Sequence, residues 1–173
     1  MGVMFMREME QEEASAANFI NEAVGEDVSP YYWEIPASFL VPAVYYPSPS
    51  IDTAGDTLDT YRASYMWLIK FFHKTDEEAQ NLARTALLAI KDARNCIPVL
   101  NSDGSPDGTM LRVLDPSIKQ VERGAWQLQL RWDSPRYYDD KAESGGESAD
   151  RAVKSTNLSF TLNDIPDAII TRE

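Results

Sequence analysis

From residue 59 onward, apolar and polar positions alternate for more than a dozen residues. Tyr61, Ala63, Tyr65, Trp67, Ile69 and Phe71 fall on one side, and Arg62, Ser64, Met66, Leu68, Lys70 and Phe72 on the other. A repeat of two is that of a β-strand, whose successive side chains point to opposite faces. At about 3.3 Å per residue the run spans about 45 Å, which predicts a central sheet member with one half-polar face. The period then changes. Thr75 with Glu78 three residues on is a capping box, and Asp76 and Glu77 suit the positive end of a helix. Ala79, Leu82, Ala83, Ala86, Leu87, Ile90 and Ala93 make one apolar stripe, closed by Lys91 and Arg94. A second alternation sets Trp126, Leu128, Leu130 and Trp132 against Gln127, Gln129 and Arg131. Arg123-Gly124 is a turn signal joining it to the extended segment MLRVLDPSIKQVE, which Asp115-Pro116 should bend or bulge.

The remaining patterns are weaker. Residues 7–24 read as an acidic helix with Ala16, Phe19, Ile20, Ala23 and Val24 on its apolar face and Gly25 as its stop. Its first turns are too polar to bury. YYWEIP and FLVPAVYYPSP favour strands, but Pro36, Pro42, Pro47 and Pro49 cannot hold a central ladder position, which predicts edge strands or extended arms. SIDTAGDTL reads as a turn reversing at Ala54-Gly55-Asp56. After Ile97-Pro98-Val99-Leu100 comes a polar, glycine-containing loop. Residues 139–155 are charged and glycine-rich and read as a linker, after which Leu158, Phe160 and Leu162 recover some strand character. The expected fold is α+β: an antiparallel or mixed sheet with two helices packed on it, plus an extended C-terminal tail. One domain over residues 1–135 is followed by a linker and extension over 136–173.

Composition narrows the function. A chain of 173 residues can build one core. Its net charge is −12, and the first fifty residues hold eight acids against Arg7 alone. No basic patch could grip phosphates, which argues against nucleic-acid recognition. No apolar run is long enough to cross a bilayer, and the opening MGVMFM lacks the basic start of a signal peptide. The single cysteine, Cys96, reads as a small core residue, and the lone sequon at Asn157 as chance. His73, the one histidine, has no cysteine or carboxylate at ligand spacing and reads as a strand-end residue. Asn101, Asp103, Ser105 and Asp107 begin like a calcium loop. Pro106 and Arg112 stand where that loop needs glycine and glutamate, so a hairpin loop is expected. The acids at positions 8–13 read as a solvated helix face, and no carboxylate pair suggests acid–base chemistry. No phosphate-binding, dinucleotide or nucleophile-elbow glycine pattern occurs. No catalytic residue, cofactor or metal is therefore expected. Tyr31, Tyr32, Trp33, Tyr45 and Tyr46 read either as core or as a subunit interface.

The order of acidic helix, YYWEIP, VPAVYYPSP, YRASYMWLIKFF, capped helix, IPVLNSDG and GAWQLQLRW resembles the tail-terminator family of tailed phages and related contractile particles. The likeness covers roughly residues 19–132 and rests on order and pattern. It implies a structural virion protein of the tail and neck, assembled in the host cytoplasm. Such a protein forms a homohexameric ring on the tail tube, stops its growth and presents the surface on which the head connector docks. Its partners would be copies of itself, the tail tube protein, and a sheath protein and head–tail connector. DNA would pass through the lumen without specific binding. Edge placement suggests Tyr45, Tyr46, Asp103, Asp107, Arg136 and Tyr137 as interface residues, and charge reversal at Asp103 and Asp107 is expected to leave folding intact yet impair assembly. The alternatives are another neck protein, such as a connector or completion protein, and a small-ligand or carbohydrate-binding module using exposed aromatic residues.

Overall fold

The computed structural model describes residues 10–138. Two 13-residue strands form its spine, β4 (Thr60–Phe72) and β8 (Ala125–Tyr137). They are neighbours in the sheet. The His73 N–H donates to Gly124 O (3.0 Å) at one end, and Ser64 Oγ donates to Asp133 (2.7 Å) further along. One strand therefore ascends as the other descends: they are antiparallel. Gly124 sits at positive φ, and a Cβ there would lie 2.9 Å from the His73 carbonyl oxygen, so the turn needs glycine for both reasons.

β2 (Ala43–Tyr46) and β3 (Ser50–Gly55) lie end to end along β4, both antiparallel to it. Tyr45 faces Lys70 and Ser50 faces Met66, so one side advances five residues while β4 advances four. Pro47-Ser48-Pro49 holds the extra residue, a bulge that interrupts what is otherwise one long strand. β1 (Ser29–Tyr32) pairs in parallel outside β2, and β7 (Ser117–Glu122) pairs antiparallel outside β8.

Two expectations need correction here. The segment VPAVYYPSP does not lie at an edge: β2 sits inside the sheet between β1 and β4, with Ala43, Val44 and Tyr46 fully buried. Pro42 and Pro47 flank the four paired residues rather than interrupt them. Nor is SIDTAGDTL a turn. Residues 50–55 form β3, and the reversal falls at residues 56–59, where Thr57 Oγ1 accepts from the N–H groups of Asp59 and Thr60.

α1 (Gln11–Val24) and α2 (Asp76–Asp92) pack on one face of this sheet. Thr75 Oγ1 accepts from the Glu78 N–H (3.3 Å) and donates to its carboxylate (2.9 Å), closing the capping box. Ala79, Ala83, Ala86 and Ile90 turn inward, the alanines letting the helix lie close to the sheet. The chain leaves α2 through Arg94 and Asn95, both left-handed, into the hairpin of β5 (Cys96–Leu100) and β6 (Pro106–Arg112), a separate two-stranded sheet. Asp115, at φ 43°, redirects the chain from that hairpin into β7. The core gathers Trp67, Trp132, Tyr46, Phe71, Ile20 and Ile90. This is the α+β arrangement expected, a mixed, mostly antiparallel sheet with two helices. No helix among the described residues is long and apolar enough to cross a membrane. One compact unit ends at Arg136, and beyond it only Tyr137 and Tyr138 are described. The linker, the weak strand at Leu158 to Leu162, Asn157 and residues 7–9 of the expected helix lie outside the described residues.

Candidate assembly site

The start of α1 is not the solvated acidic face its composition suggests. The Glu12 carboxylate accepts from Trp132 Nε1 (3.0 Å) and Ser134 Oγ (2.7 Å), with Arg136 Nη2 at 3.6 Å. Glu10 accepts from Tyr65 OH (2.7 Å) and Arg136 Nη2 (2.9 Å), and Arg136 also donates to Tyr65 OH (3.1 Å). Tyr65 and Trp132 stack beneath, with ring centres 4.8 Å apart. Glu13 is 7% exposed. Glu10 and Glu12 are held because Tyr65 of β4 and Trp132, Ser134 and Arg136 of β8 supply their donors. Burial, together with the bond to Glu10, pushes the Tyr65 hydroxyl up to about 12. Burial works against the Arg136 charge, but Tyr65, Glu12 and Glu10 outweigh it and raise its pKa. Both Glu12 oxygens and Oε2 of Glu10 face fixed donors, an arrangement that clamps the helix to the sheet.

The six interface residues expected from the sequence do not form one patch. Tyr46 has no exposed surface; its hydroxyl donates to Asn21 Oδ1 (2.7 Å) and its ring stacks on Tyr32. It belongs to the core, because β2 is paired on both sides, with β1 and β4, and burial drives its hydroxyl pKa upward. Tyr45 is half-buried and donates to the Trp33 carbonyl (2.9 Å). Arg136 is engaged with Glu10 within the chain, while Tyr137 is 80% exposed. Asp103 and Asp107 lie on the β5–β6 hairpin. Asp103 accepts from the Ser105 hydroxyl and N–H, and Asp107 from those of Thr109, which holds both carboxyls below their ordinary values. Charge reversal at either position would remove these turn hydrogen bonds. Gln11 Nε2 donates to Asp107 (3.2 Å), which brings Asp107 and Arg136 together at the first residues of α1. Glu12, Trp132 and Ser134 were missed because 120 or more positions separate the partners. A tryptophan N–H near the end of a strand was the one available hint.

The other candidates are local. His73 Nδ1 lies 2.7 Å from Glu78 and accepts from the Lys74 N–H, at the strand end as expected. Cys96 is a half-buried free thiol. Among the described residues no cluster of side chains could hold a metal ion.

Among the described residues, the fold leaves open a sheet face and the outer edges of β1, β3 and β7. Arg62, Ser64, Met66, Leu68 and Lys70 of β4 lie on the face away from the helices. Met66 is 40% exposed. Phe39 covers one end of that face by packing on Phe72, ring centres 5.0 Å apart. A shallow groove beside it is lined by Tyr45, Pro47, Met66, Leu68, Lys70 and Gln127. β3 pairs only with β4, and β7 only with β8, among the described residues. Each leaves a six-residue edge bare.

No family model matches the chain. The phage-like element PBSX protein XkdJ of Bacillus subtilis (strain 168) is 36% identical over 113 residues, which span 65% of this chain and 77% of XkdJ. The chain belongs to the XkdJ family. The uncharacterized protein YqbJ of the same bacterium is 28% identical to this XkdJ-family chain over 131 residues, 76% of it and 88% of YqbJ. Among solved structures, a chain from the virion of a native gene transfer agent particle overlaps 73% of this chain and 94% of its own length. Its TM-score of 0.44 and identity of 18% are too low to carry an argument. Among the described residues, the XkdJ-family chain thus presents an open sheet face, the bare edges of β1, β3 and β7 and a clamped N-terminal helix.

Proposed function

We propose that this protein is a structural component of a phage or phage-like particle, and that it acts there as the tail terminator. It would ring the end of the tail tube, stop its polymerisation and receive the head connector. Membership of the XkdJ family carries the particle reading, since XkdJ is a protein of a phage-like element. The terminator reading draws on the order of segments between residues 19 and 132. It also accords with a surface of bare edges and an open face, on which extended strands of other copies can be recognised. The protein acts by occlusion: it pairs with the last tube ring on one side and offers no equivalent template on the other. DNA then passes through a ring of net-acidic subunits without being gripped.

Particles produced without this protein should carry tube-like tails of uncontrolled length and few joined heads, read by negative-stain microscopy. Restoring the gene should restore a single tail length. Tails of normal length that merely lack heads would turn the reading toward a connector and away from a terminator.

A further inference from the structure

We infer that copies of this chain join by continuing their main sheets, β3 of one copy pairing antiparallel with β7 of the next, Asp52 opposite Lys119. The bare edges of β3 and β7 lie on opposite flanks of the same sheet and are equal in length, six residues each, whereas the edge of β1 has only four. β3 is exposed throughout, with Ile51 40% exposed, and β7 is exposed except at half-buried Ile118. Neither strand contains an interior proline that would remove an N–H from its edge.

Direction and face both fit. β3 is antiparallel to β4, β4 to β8, and β8 to β7, so β3 and β7 run in opposite senses. A neighbour that keeps the same sheet face and direction therefore offers an antiparallel partner. Asp52 stands opposite Ser64 and Lys119 opposite Gln127, which places both charges on the face away from the helices. With these two in register, Thr53 meets Ile118 and Ile51 meets Gln120 on the helix-covered face. Among the described residues neither Asp52 nor Lys119 has an ion-pair partner within its own chain.

Charge chooses the partner. Pairing β3 with β3 brings Asp52 toward Asp52, and pairing β7 with β7 brings Lys119 toward Lys119; like charges across a strand pair are destabilising. Only the unlike edges attract. Such a contact is heterologous, one distinct edge on each side, and closes a ring when the rotation between copies allows. The same charges that guard each edge against its own kind thus admit the other edge.

This pairing rests on the ring-forming part of the function proposed above. Its test uses the full chain with Cys96→Ser, so that no native thiol interferes. Directly opposed positions in an antiparallel pair have Cβ atoms about 4.5–5.5 Å apart, near enough for a disulfide on modest adjustment. Oxidised Asp52→Cys/Lys119→Cys should give a covalent ladder ending in a closed species, and either cysteine alone should give dimers at most. Asp52→Lys or Lys119→Asp alone should weaken association about tenfold, and the two together should restore it. A double-cysteine protein that stays monomeric on oxidation with native far-UV circular dichroism overturns the pairing, as does a failure of the double reversal to restore association. Ladders formed by a protein without effect on tail length would keep the pairing and remove the terminator reading.

Discussion

Glu12 shows how a single acid changes meaning between the chain and the fold. Seen along the chain it is one of a run of glutamates that should face water. In the fold its carboxylate is the acceptor for a tryptophan N–H and a serine hydroxyl from the far end of β8. Removing the acceptor strands both donors, of which the Ser134 side belongs to a residue 4% exposed. Glu12→Ala should lower the unfolding free energy by about 3 kcal/mol, since donors to a charged group lose more than neutral ones. Glu12→Gln, which keeps an oxygen acceptor, should lose less than half of that. Urea titration of the two variants checks the order; equal losses would mean that the carboxylate serves only to fill space. Tyr46 errs in the opposite sense. Proline on both sides suggested exposure, yet Asn21, 25 positions earlier, supplies the partner that lets its hydroxyl be buried. Nothing near either residue announces its partner.

Elements were legible in proportion to their amphipathicity. β4, α2 and β8 each repeat apolar positions at the period of their own geometry, and each lies where expected. β3 carries Ser50, Asp52, Thr53, Ala54 and Gly55, with no apolar alternation, because neither of its faces is covered. Its strand character comes from pairing with β4, a signal that periodicity cannot carry. The cap of α2 is the most testable of the local features. Thr75→Ala should cost about 1 kcal/mol at neutral pH, read as a lower melting temperature. The hydrogen bond from Thr75, then the charges of His73 and Lys74, hold the Glu78 carboxyl below its ordinary 4.5. A depressed folded value stabilises the protein above 4.5 and loses that contribution as pH falls through the folded value. The gap between wild type and Thr75→Ala should therefore narrow as pH falls below 4.5. A gap that is constant with pH would show that the cap acts through the hydroxyl and backbone alone.

Within residues 10–136 the main sheet carries both helices on one face, and the core is shared by both helices and both long strands. A core that joins Ile20, Trp67, Ile90 and Trp132 ties α1, β4, α2 and β8 together, so none of these four can unfold without exposing the others. Tryptophan fluorescence and far-UV circular dichroism should thus report one coincident unfolding transition for residues 10–136. Two separated transitions would mean that the β5–β6 hairpin and α1 detach first. The periods of β4 and α2 and the cap at Thr75 depend on neighbours within a few residues, and the amino-acid order alone is enough to specify them. Which acids are clamped, that β2 lies inside, and which edges stay bare depend on register, on the one-residue bulge at Pro47-Ser48-Pro49 and on contacts across the chain. Those belong to the folded arrangement, because a strand pairs through backbone groups common to every residue, and side-chain order alone does not say which backbone lies beside which.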